Sequence, residues 1–105
     1  NLAADQRIIE IIQSFDQQNK HVCASCAAPT VLAHAGVLKG FKATCYPSCS
    51  QALGDSYTDV PVVADGNIVT GQGPGSALLF SLILAHHFAG EDTARSVAKA
   101  MLSTY

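Results

Sequence analysis

Four cysteines, four histidines and eight acidic residues are the groups in this 105-residue chain that could do covalent, acid–base or metal chemistry. One of them is set apart by its neighbours. His21-Val22-Cys23-Ala24-Ser25 reads as a short apolar strand, Cys26 ends it, and Ala27-Ala28-Pro29-Thr30 opens a helix-compatible segment. A residue on such a sharp strand-to-helix turn is presented at the mouth of an α/β sheet, where a nucleophile is needed. The N-terminal end of a helix, with its free N–H groups, favours a thiolate there. The backbone N–H of Ala27 is the group in reach of a developing oxyanion. Cys26 is therefore the candidate nucleophile.

The remaining groups read differently. Cys23 and Cys26 form a Cys-x-x-Cys spacing, but a redox motif of that kind opens a helix, whereas Cys23 falls inside the strand. Cys45 and Cys49 flank Tyr-Pro-Ser in a loop, and no further ligands stand at zinc-like spacing, so no metal site is expected. Both read as core or loop thiols. His21 and His34 read as structural, and His86-His87 as a helix end or a dimer face. The loop Gly71 to Ser76 is glycine-rich and flexible, but it lacks the Gly-Lys-Ser/Thr of a phosphate-binding loop.

The elements that must position Cys26 follow from periodicity. Ile8, Ile9, Ile12 and Phe15 recur at helical spacing over Asp5 to Gln17. A second helix is expected over Ala27 to Ala35, with Pro29 in its first turn and Gly36 ending it. Phe41 to Cys45 is expected as a strand, followed by an irregular polar stretch to Asp59. Val60 to Ala64 and Asn67 to Thr70 flank Asp65-Gly66, a hairpin signal. Ala77 to Ala89 reads as a buried helix, and a last helix, capped by Asp92 or Thr93, runs to Leu102. The order suits an α/β sandwich. About four strands are visible, fewer than a covered parallel sheet normally has, so further strands are expected from outside the chain.

Composition agrees with a buried sheet: 49% of residues are hydrophobic, 13% are charged, and the net charge is −2. No cluster of Lys or Arg exists to grip nucleic acid. The apolar run at 77–89 is too short to span a bilayer. No cleavable leader is evident, and reduced thiols in the cytoplasm are expected. The chain opens Asn-Leu-Ala-Ala-Asp and reads as continuing from an internal point.

Cys26-Ala27-Ala28-Pro29, the loop Gln72-Gly73-Pro74-Gly75-Ser76 and the closing apolar helix, in that order over the whole chain, resemble the ThiJ/PfpI family, specifically its parkinsonism-associated deglycase branch. The resemblance implies a flavodoxin-like (Rossmann-like) α/β sandwich that forms homodimers, with residues 1–105 as the C-terminal part of one such domain. It implies that an N-terminal fragment of the same protein completes the sheet. That fragment would supply a glutamate beside the cysteine and a glycine-rich turn lending an oxyanion N–H. Some members place a His near the cysteine at the position of Tyr46, which excludes a Cys-His pair from there. The protease-like branch carries a His where this chain has Ala27, which disfavours proteolysis. Tyr46, Gln72 and Pro74 are the residues the resemblance places around the cysteine pocket.

The activity implied is cofactor-free detoxification of reactive carbonyls: glyoxalase chemistry on a small aldehyde without glutathione, or deglycation of proteins and nucleotides. The alternative is an oxidative-stress sensor or redox-regulated chaperone in which Cys26 is oxidised without turnover.

Overall fold

A computed structural model describes residues 5–100. Helix α1 spans Gln6–Gln17, and Asp5 caps it by accepting the Arg7 N–H at 2.9 Å. Ile9 is buried, with Ile8 and Ile12 packed beside it. Phe15, read as part of the same stripe, is exposed beneath the Lys20 ammonium, which sits 5.1 Å from its ring centre.

Three strands form one sheet: β1 (Val22–Ser25), β2 (Val62–Asp65) and β3 (Ile68–Gly71). The spatial order is β1-β3-β2, with β3 parallel to β1 and antiparallel to β2. Central β3 is buried along its whole length, which explains its near-continuous apolar sequence. The outer edge of β1 has no strand partner among the described residues. In the hairpin, Asp65 pairs with Ile68, so the two-residue loop is Gly66-Asn67, one position later than the dipeptide signal. Gly66 takes φ +60° with the Phe41 ring so close that a Cβ would lie 2.8 Å from it.

The segment 41–45 is not a strand. It makes a single bridge, Ala43 to Tyr57, although Ala43, Thr44 and Cys45 are fully buried. Its alternate N–H groups go elsewhere: Lys42 to the Asp65 carboxylate (2.8 Å), Thr44 to the Thr70 hydroxyl (2.9 Å), and Tyr46 to the Cys26 carbonyl (2.6 Å). Side chains and a turn carbonyl replace the ladder that the apolar pattern suggested. The polar stretch that follows winds into two 3₁₀ turns, Pro47–Ala52 and Gly54–Ser56.

Helix α2 covers only Pro29–His34, starting two residues later than expected because Ala27 and Ala28 belong to the turn. Gly36, at φ +80°, follows its end. Helix α3 (Ala77–Ala89) lies on β2 and β3, and α4 (Glu91–Ala100) packs back along it. Glu91 begins α4 directly after Gly90, ahead of the expected caps, and Leu102 lies outside the described residues. The expectation of a buried α3 is corrected. Only Leu82 is buried, while Leu78 and Phe88 are 41% and 64% exposed, because one face meets the sheet and α4 and the rest is uncovered in this chain.

Candidate active site

Cys26 has φ +59°, a left-handed conformation that costs a non-glycine residue about 1–2 kcal/mol. The reason lies on either side. β1 runs to Ser25, where its pairing with Gly71 ends, and Pro29 fixes the first residue of α2. The chain reverses between them in three residues, and Cys26 takes the strained position. Its thiol is partly exposed, with the Ser25 hydroxyl 3.8 Å from the sulfur.

The backbone of this turn is strapped on both sides. The Cys26 N–H donates to the Gly71 carbonyl at 3.0 Å, and the Cys26 carbonyl accepts the Tyr46 N–H at 2.6 Å. The Ala28 N–H is taken by the Ser25 carbonyl at 3.1 Å. The Ala27 N–H is bonded to no carbonyl among the described residues, and Ala27 is exposed. A six-residue helix whose first residue, Pro29, has no N–H brings little dipole to the sulfur.

Tyr46, Gln72 and Pro74 line one cleft of about 320 Å³, together with Pro47, Pro61, Gly73, Gly75 and Ser76. Cys26 is not among the lining residues. It joins the cleft through the two straps, since Tyr46 is one wall and Gly71 leads directly into Gln72. Across the cleft, a Cβ on Gly73 would stand 3.6 Å from the Tyr46 ring. The Gly-Pro-Gly loop is shaped by Ser76, whose hydroxyl accepts the Gly73 N–H (3.2 Å) and donates to the Gly73 carbonyl (2.9 Å).

The sequence reading missed three residues that shape this region. The Gln72 amide donates to the Tyr57 hydroxyl (3.2 Å) and to the Asp59 carboxylate (2.9 Å), so two residues of the polar stretch fix how Gln72 faces the cleft. Nothing in their types or spacing pointed to Gln72. Gly71 is the third: a Cβ there would lie 2.9 Å from Phe80 and 3.1 Å from the Ser25 Cβ, so only glycine lets α3, β3 and the elbow approach this closely.

The other cysteines lie apart from the cleft lining. Cys23 is in β1, and burial pushes its thiol up from the ordinary value, against a backbone hydrogen bond with Val69 that lowers it. Cys45 is fully buried, its thiol raised first by burial and then by neighbouring Cys49. No group of three His, Cys, Asp or Glu side chains among the described residues could hold a metal ion. His21 packs on Phe88 and His87, with ring centres 4.6 and 5.8 Å away, joining the start of β1 to the end of α3. No helix of the described residues is long and apolar enough to cross a membrane.

A strained cysteine on the turn between a parallel strand and a helix, beside a glycine-rich loop on a mixed sheet, places the chain among α/β proteins of the flavodoxin-like type. Over residues 1–87 the chain matches the DJ-1/PfpI family, and it belongs to that family. DJ-1beta of Drosophila melanogaster is 40% identical over 99 residues, covering 91% of this chain and 53% of its own length. The crystal structure of that fly protein superposes with a TM-score of 0.92 at 38% identity, over 99% of this chain and 57% of that one. A protein of Schizosaccharomyces pombe named glutathione-independent glyoxalase DJ-1 is 34% identical over 96 residues, covering 88% of this chain and 50% of its own. The chain thus spans about half the length of these relatives.

Proposed function

We propose that this chain is the nucleophile-bearing part of a cysteine enzyme that converts small reactive aldehydes, of the 2-oxoaldehyde type, to hydroxy acids. The observation that carries the reading is Cys26 in its left-handed turn, with the Ala27 N–H unbonded beside it. The glyoxalase name of the fission-yeast relative supports the same chemistry.

In this reading the Cys26 sulfur attacks the aldehyde carbon, forming a C–S bond while the carbonyl oxygen takes the negative charge beside the Ala27 N–H. Protonation of that oxygen gives a hemithioacetal. Its C–H hydrogen moves as a proton to the adjacent ketone carbon, leaving a thioester, which water cleaves to the 2-hydroxy acid and free thiol. Tyr46, Pro74 and Gln72 bound the space next to the elbow and orient the carbonyl compound. The proton carrier is assigned to a carboxylate outside this chain, on an N-terminal part of the same protein.

The open edge of β1 and the uncovered apolar surface of α3 support a completing segment there. A cytoplasmic setting fits four unpaired cysteines. Deglycation of proteins and nucleotides would use the same first step on an adduct carbon.

The test is lactate formation from methylglyoxal by the chain joined with its N-terminal part. Turnover should vanish in Cys26→Ser with the circular dichroism spectrum unchanged. Full turnover in that variant would remove Cys26 from the mechanism.

A further inference from the structure

We propose that Cys45 and Cys49 form a second reactive site, a dithiol that hydroperoxides close to an intramolecular disulfide independently of Cys26. Both residues are gathered on one atom. The Tyr46 carbonyl oxygen accepts the Cys45 thiol at 3.4 Å and the Cys49 N–H at 2.8 Å. The second of these bonds closes the turn from Tyr46 to Cys49, and such a turn holds its ends within about 7 Å. Cys45 sits one residue before that turn, and its sulfur reaches back to the oxygen that closes it.

The two sulfurs also sit in one setting. Cys45 is fully buried, and Cys49 is half-buried against the same core cluster. The effect of Cys49 on the Cys45 thiol is felt across this turn. A metal does not account for the pair, because no third ligand joins it among the described residues. Nor does the carbonyl chemistry at Cys26 use either thiol.

Exposure assigns the roles. The Cys49 thiolate attacks the outer peroxide oxygen; an S–O bond forms, the O–O bond breaks, and the departing oxide takes a proton as an alcohol or water. The Cys45 sulfur then attacks the Cys49 sulfenic sulfur. An S–S bond forms, the S–O bond breaks, and the hydroxide leaves as water with the Cys45 proton. Two thiols are oxidised by two electrons in total, and one hydroperoxide is reduced by two. The new ring contains Tyr46 and Pro47, both lining the cleft, so oxidation clips the wall strapped to Cys26.

The test uses tryptic peptides, because Lys42 and Arg95 bound a fragment, 43–95, whose only cysteines are these two. After hydrogen peroxide and N-ethylmaleimide, this fragment should carry no maleimide and weigh about 2 Da less than the dithiol, and dithiothreitol should restore both thiols. The result should be the same in Cys26→Ser. Phenylarsine oxide, which needs two neighbouring thiols, should load the Cys26→Ser protein at one equivalent. Cys49→Ser, at the less buried position, should lose both the 2 Da change and the arsenical while keeping the fold. Two maleimides on the fragment after peroxide would overturn the proposal. So would Cys49 bridged to another cysteine or another chain, or an arsenical that survives Cys49→Ser.

Discussion

Tyr46 donates its backbone N–H to the carbonyl of Cys26 at 2.6 Å, so one wall of the cleft and the strained turn are a single hydrogen-bonded unit. Tyr46 has φ −56°, a value proline adopts without strain. Tyr46→Pro deletes this N–H and puts the ring Cδ where the proton pointed at the carbonyl oxygen, which forces the strap open, whereas Tyr46→Ala removes the ring but keeps the strap. Losing the bond should free the turn by about 1–1.5 kcal/mol, roughly a tenfold change. Iodoacetamide should alkylate Cys26 at a rate that differs about tenfold between the two variants. Equal rates would show that the strap does not hold the cysteine.

The left-handed backbone at Cys26 makes a prediction about stability alone. Glycine enters that region freely, while alanine keeps the Cβ clash. Cys26→Gly should be more stable than Cys26→Ala by about 1 kcal/mol, after allowing for the greater freedom of unfolded glycine. Urea unfolding of the two variants reads this directly. If alanine proves the more stable, the turn is not strained in solution.

Two buried threonines that lie side by side should respond in opposite ways. The Thr44 hydroxyl is buried with no hydrogen-bond partner among the described residues, whereas the Thr70 hydroxyl accepts the Thr44 N–H at 2.9 Å. Thr44→Val removes an unsatisfied group and should be neutral or stabilising by up to about 1 kcal/mol. Thr70→Val strands a buried N–H and should lose about 1–3 kcal/mol. Chemical denaturation would refute the arrangement if the two losses were alike.

These contrasts show what the sequence could and could not reveal. The elbow was legible because it rests on local order: an apolar strand, one cysteine, then a proline where a helix starts. The hairpin and α3 were legible from Gly66 and from the most apolar run of the chain. The segment 41–45 was misread because apolar residues there are buried for another reason. Its partners are the side chains of Asp65 and Thr70 and the turn at Cys26, all of them 20 or more residues away. Periodicity carries no record of such partners. The links from Tyr57 and Asp59 to Gln72 were hidden in the same way, since only the folded chain brings a polar loop against a glycine-rich one.

Gly71 bears on how closely the layers can pack at the site. Alanine there would push its Cβ against Phe80 of α3 and Ser25 of β1 at 2.9 and 3.1 Å. Overpacking of this kind costs about 1–3 kcal/mol. Gly71→Ala should therefore lower the unfolding midpoint and also change Cys26 alkylation, because the Gly71 carbonyl holds the Cys26 N–H. The paired variant Gly71→Ala/Phe80→Leu should recover part of the loss by giving the methyl room. No recovery would place the clash elsewhere.

The buried thiol of Cys45 sets a limit at alkaline pH. Burial first, and the nearby Cys49 second, raise it above the ordinary value of 9.0. Unfolding returns the thiol to that ordinary value, so between the two values the unfolded chain binds fewer protons than the native one. The contribution from Cys45 is thus fully present below about pH 9, and it is lost as pH rises through the raised native value. Wild type should show a descending stability limb that begins near pH 9. Cys45→Ala should be less stable at neutral pH, by an amount on the order of 1 kcal/mol for the buried volume removed. It has no proton to lose, so its limb should be flatter and the gap to wild type should narrow as pH climbs. Parallel limbs in the two proteins would mean that Cys45 ionises as readily in the fold as outside it.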